Sequence, residues 1–126
     1  MSKLLAAALT MSACTLAWAQ AMPTEFPADV TRPTGEALRT QISGKVYAAT
    51  LASGTTWRLD YQASGFMFVN TSDGFADKAR WRTEDGLLCS EGGARMPASC
   101  SEARIRGEIV YVKRVSTGEV IALTPK

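Results

Sequence analysis

The chain contains no histidine. With it go the commonest general base, the commonest transition-metal ligand and the side chain that titrates near neutrality. Cysteine is scarce: three in 126 residues, Cys14, Cys89 and Cys100. Neither sign of charge dominates, with 14 Lys and Arg against 12 Asp and Glu and a formal net charge of +2. Nucleic-acid-binding domains usually carry a strong positive excess, so nucleic acid is not expected as a main partner. Long apolar runs are missing too. The one at the N-terminus falls short of the ~20 residues that a spanning helix needs, and no membrane span is expected. The glycine-rich "SEGGAR" lacks the lysine-serine ending of a phosphate loop. No cofactor and no resident metal is expected.

The apolar run lies in "MSKLLAAALTMSACTLAWAQA". Lys3 supplies a positive start, and residues 4–18 are rich in alanine and leucine. Ala17-Trp18-Ala19 and Ala19-Gln20-Ala21 are small-x-small patterns. Residues 1–21 therefore read as a secretory signal peptide, cleaved after Ala19 or Ala21. Lipidation at Cys14 is the weaker alternative, because Met11 stands where a lipoprotein box carries leucine and the apolar run continues beyond Cys14. The expected location is periplasmic or secreted. About 105 residues remain after cleavage, one domain's worth, and a monomer is expected.

Only Cys89 and Cys100 stay in the mature chain, at the two ends of "CSEGGARMPASC". The compartment is oxidising, so a disulfide is expected. Two thiolates without histidine make a poor zinc site, and the spacing is not that of a C-x-x-C redox centre. Gly92, Gly93 and Pro97 suit an irregular loop within the ring.

Residues 22–33, "MPTEFPADVTRP", hold three prolines and read as an extended leader. The next stretch, "PTGEALRTQISG", predicts the one mature helix, from Thr34 to Ser43. Thr34 caps it, Leu38 and Ile42 form a one-turn apolar stripe, and Gly44 ends it. The period then changes to two. In "TTWRLDYQ", Trp57, Leu59 and Tyr61 alternate with Arg58, Asp60 and Gln62; in "DKARWRTE", Ala79, Trp81 and Thr83 alternate with Arg80, Arg82 and Glu84. Turn signals recur every eight to twelve residues or so. The expected fold is mainly β (α+β): residues 34–126 form an antiparallel meander or partial barrel of six to eight strands with one short N-terminal helix. Two strands, around Phe66–Val69 and Ile109–Val112, are apolar on both faces. Either the sheet curls into a barrel or it exposes an apolar patch.

The segments "SGTTWRLDY", "SGFMFVNTSDGF", "ARWRTEDGLLC", "ASCSEARIRG", "IVYVKR" and "GEVI" resemble a family of small secreted bacterial proteins of unknown function. There a G-x-W strand is followed by an "edG-x-L-C" turn and a second cysteine about a dozen residues on; here Ala79 stands in the glycine position. The resemblance implies an antiparallel β domain with a short N-terminal helix. It carries no catalytic residue and no ligand.

For function, a nucleophile needs a base, usually histidine. The acidic residues Asp73, Asp77, Glu84 and Asp85 sit at turns, where turn chemistry accounts for them. A non-enzymatic domain is expected, with a small histidine-free envelope hydrolase as the alternative. The candidate contact residues are Arg80 with Arg82, and Arg104 with Arg106. Each pair shares one face of a strand, opposite Trp81 or Ile105. Arginine pairs bidentately with carboxylates and phosphates, so the expected partner is an envelope protein or an anionic envelope polymer. A solvated face paired to Glu84, Glu102 and Glu108 is the competing account.

Overall fold

A computed structural model describes residues 22–126. The expected signal peptide, residues 1–21, and Cys14 within it lie outside the described residues. Among the described residues one helix, α1 (Gly35–Ile42), precedes eight strands: β1 (Lys45–Thr50), β2 (Thr56–Tyr61), β3 (Phe66–Thr71), β4 (Ala76–Glu84), β5 (Leu87–Glu91), β6 (Ser99–Arg106), β7 (Ile109–Lys113) and β8 (Val120–Pro125). Each strand pairs antiparallel with the next, and β8 returns to β1 through Tyr47↔Pro125 and Ala48↔Thr124. The sheet is a closed barrel in simple up-and-down order.

Closure gathers the alternating apolar positions on one side of the sheet. The register aligns Tyr47, Leu59 and Val69 across three strands, and Tyr61, Met67 and Ala79 across three. All six are buried, as are Trp81, Val110, Ile121 and Leu123. Their apolar sides turn to one interior, and closing the sheet leaves no unpaired edge.

The barrel's two ends differ. Helix α1 closes one of them. The Thr34 hydroxyl accepts from the Ala37 N–H at 3.1 Å, and the Ser43 N–H donates to the Arg39 carbonyl at 2.9 Å. Eight residues cannot hold a helix alone. Leu38 and Ile42, both 0% exposed, dock on the barrel floor. Tyr47 donates to the Gln41 carbonyl at 3.2 Å, and Thr83 to the Gly35 carbonyl at 2.6 Å. A Cβ at Gly35 would stand 3.1 Å from the backbone of Glu84, so the helix start can approach β4 because it has no side chain there. Edge-on contacts from Tyr61 to Tyr47 at 6.1 Å and to Trp81 at 5.5 Å fill the floor. Burial, and then the neighbouring Tyr47, push the Tyr61 phenol far above its ordinary range, so it stays neutral.

The leader is held against the barrel wall. Thr31 bridges to Ile105, Val120 donates to the Pro23 carbonyl at 2.7 Å, and Gly86 donates to the Pro33 carbonyl at 2.8 Å. Beneath it the outer residue Tyr111 is buried. Strand β7 is therefore apolar on both faces because one packs into the barrel and the other lies under the leader. On β3 the outward pair Phe66 and Phe68 is half-covered by the Lys78 ammonium, 4.4 Å and 5.7 Å from the two rings.

Candidate functional site: the open end of the barrel

The end away from α1 is a cup of about 740 Å³. That falls within the range of small-molecule sites. Its deep wall is apolar: Leu59, Met67, Val69, Leu88, Ile121 and Leu123. Ser90, Ser99 and Ser101 give one side, on β5 and β6, a hydroxyl character. They face inward because Ser90 pairs with Trp81, and Ser101 with Leu88. The rim carries Trp57, Phe75, Met96, Arg114 and Val115. Val115, 67% exposed, stands out as an exposed large aliphatic side chain among the described residues.

The loop from β5 to β6 overhangs this mouth and is anchored by one carboxylate. Asp77 accepts from the backbone N–H groups of Ala94 (3.2 Å), Arg95 (3.0 Å) and Met96 (2.9 Å), and from Lys78 (2.9 Å). The Arg95 guanidinium also lies 4.6 Å from the Phe75 ring centre. A Cβ at Gly93 would come within 2.6 Å of Asp77 Oδ2, so a larger residue there would push the carboxylate against its amide donors. Desolvation pushes the Asp77 carboxyl up, but the four N–H donors together outweigh it, and the group titrates below its ordinary range. A carboxylate whose folded pKa is depressed holds its partners fully above its unfolded pKa, and loses that hold as pH falls through the folded value. Asp77→Ala is therefore expected to expose the amides of Ala94, Arg95 and Met96 at neutral pH, measured by amide-proton exchange. In the unmodified protein their chemical shifts should move together only below the ordinary carboxylate range. Unchanged protection in the variant would contradict the anchoring role.

The disulfide between Cys89 and Cys100 is formed, with Cα atoms 4.0 Å apart. The two residues pair directly across β5 and β6, on the outer face. Glu84 lies beside the two sulfurs. Bonded to each other, they present no thiolate, the form that ligates metal.

Arg80, Arg82, Arg104 and Arg106 all point outward, as alternation predicts, but they do not form one patch. The register places Arg82 across from Cys89 and Cys100, and Glu84 across from Leu87 and Glu102. Glu84 and Glu102 therefore stand between the two arginine pairs. Arg82 contacts Glu84 at 2.7 Å, and Arg104 approaches Glu102 at 3.8 Å. Arg104 lies 5.0 Å from the Phe26 ring centre, and Arg106 donates to the Tyr111 hydroxyl at 2.6 Å and to the Ala28 carbonyl at 3.5 Å. That pair fastens the leader. Arg80 stacks at 5.3 Å on Phe66, beside Lys78.

Arg114 and Asp77 were not among the candidates from sequence, although alternation marks both. Arg114 continues the inward phase of Val110 and Val112, and Asp77 that of Ala79 and Trp81. A charged residue on the apolar side of a strand end is the available signal. No family model, curated protein or solved structure matches the chain.

Proposed function

We propose that this barrel is a non-catalytic, extracytoplasmic binding protein that takes a small, mostly apolar molecule into its cup. The carrying observation is that the barrel is plugged at one end by α1 and open at the other onto about 740 Å³ lined by apolar side chains. Barrels of eight strands either fill their interior with side chains or hold one small ligand, and the open half of this one is unfilled. A non-enzymatic role is supported by the charged groups of the cup, which are Asp73 and Arg114. Asp73 accepts a hydrogen bond from the Thr71 hydroxyl, which itself accepts from the Phe75 N–H at 3.0 Å within the β3–β4 turn, and the Arg114 guanidinium lies over Trp57. Turn chemistry accounts for the Thr71–Asp73 contact, and histidine, the usual base, is missing from the sequence. The disulfide supports the extracytoplasmic part. Among the described residues no helix is long and apolar enough to cross a membrane.

A neutral, apolar dye whose emission rises on leaving water tests this. The mature protein is expected to bind it saturably at one site and to quench Trp57, with quenching retained in Trp81→Phe. Emission that rises without saturation would contradict the proposal.

A second reading places an anionic envelope polymer or protein on the outer wall. The observation favouring it is the Phe66–Phe68 strip with Lys78 and Arg80 over it. Such binding should weaken with salt.

A further inference from the structure

We propose that the cup's ligand is an amphiphile with an anionic head, and that Arg114 at the rim receives that head while the apolar chain runs down toward Leu88 and Leu123. This deepens the reading of the cup as a ligand site and rests on it.

Arg114 directly follows β7, where the backbone is fixed. Its N–H donates to the Glu119 carbonyl at 2.8 Å, and its carbonyl accepts from the Gly118 N–H at 2.8 Å. Its side chain is in phase with Val110 and Val112 and so points to the barrel's inside. Strands β8 and β1 lie between β7 and β2 in the barrel order, yet the Arg114 guanidinium stands 4.9 Å from the Trp57 ring centre on β2. It therefore crosses the rim, where the forked N–H donors of a guanidinium match the geometry of an acid group.

Its protein partner is loose. Glu119 approaches only to 3.9 Å, and the two side chains are 27% and 33% exposed. At that distance, the far limit of an ion pair, the contact contributes little. A bidentate acid group at hydrogen-bonding distance outcompetes such a contact. The other charge of the cup, Asp73, is on the β3–β4 turn and accepts from Thr71. Below the rim the wall around Leu88 and Leu123 is apolar. A positive group in the lining of the mouth, with the Arg95 guanidinium nearby over Phe75, stands above an apolar well and matches an alkyl carboxylate or another anionic amphiphile.

The test displaces the neutral dye with dodecanoate, dodecanol and dodecyltrimethylammonium, using the mature protein. Dodecanoate is expected to displace at about tenfold lower concentration than dodecanol, the size of one charge-assisted pair. Arg114→Gln should weaken dodecanoate displacement about tenfold more than dodecanol displacement, removing that preference. Arg114→Lys should retain part of it. Glu119→Gln, which frees the guanidinium, should strengthen dodecanoate binding. Equal displacement by carboxylate and alcohol in the unmodified protein, or an equal loss of both in Arg114→Gln, would overturn the assignment of Arg114. If the dye binds but no amphiphile displaces it, the ligand class is wrong while the cup stands. If the dye itself finds no site, the cup reading fails and this inference with it.

Discussion

Leu38→Ala is expected to destabilise the protein by about 2–5 kcal/mol, the range for truncating a buried leucine. Leu38 is 0% exposed and lies at the barrel's closed end against the floor. The helix that carries it has eight residues and depends on docking for its existence. Truncation thus leaves a cavity and also weakens the contact that keeps α1 folded. Against a total stability of roughly 5–15 kcal/mol this is a large share. The midpoint of thermal unfolding should fall by about 10 °C or more, given ~4–8 °C per kcal/mol in a domain of this size. Arg39→Ala changes an exposed neighbour on the same helix and should shift stability by no more than ~0.5 kcal/mol. Ligand binding by the folded fraction of Leu38→Ala should persist, because the cup opens at the other end. A midpoint within a degree or two of the parent would mean that α1 does not hold the barrel shut.

Removing the disulfide by Cys89→Ala with Cys100→Ala should cost a similar amount. The bond closes a loop with a sequence separation of 11, for which chain entropy gives about 3 kcal/mol. The midpoint should drop by roughly 10–20 °C on the same scaling. The register of β5 and β6 is also set by the hydrogen-bond ladder on either side of the pair, so the barrel should still form. The overhanging loop is anchored separately by Asp77. Loss of the bond is therefore expected to lower stability without erasing the cup. Scanning calorimetry on the double variant, and on the parent with reductant, should give the same shift. A parent that loses its β-sheet circular dichroism outright under reductant at room temperature would contradict this division of labour.

Most of the architecture was written in alternation. Trp57, Leu59 and Tyr61 on one strand, and Ala79 and Trp81 on another, mark the interior because a strand sends successive side chains to opposite sides. Leu38 and Ile42 mark the helix face in the same way. Barrel closure was left open, since it depends on Tyr47 meeting Pro125 and Ala48 meeting Thr124, at opposite ends of the domain. No local period encodes that pairing. The leader was legible as extended, but its three prolines gave no sign that Thr31 bridges Ile105 or that Phe26 lies under Arg104. The four arginines were placed outward correctly from their neighbours Trp81 and Ile105. Whether they formed one stripe depended on inter-strand register, and the register puts Glu84 and Glu102 between the pairs. The cup was not legible, because its volume is what remains when side chains from eight strands and one loop have been placed. Arg114 and Asp77 were visible as charged residues in an apolar phase, and only the closed barrel brings them to the same mouth.

Methyl and arginine side-chain NMR on residues 22–126, titrated with dodecanoate, tests whether the ligand enters the barrel. Saturable shifts of the Leu59, Val69, Leu88 and Leu123 methyls and of the Arg114 guanidinium are expected, with Arg80, Arg82, Arg104 and Arg106 unmoved. Shifts confined to those four outer arginines, with the interior methyls silent, would contradict entry into the barrel.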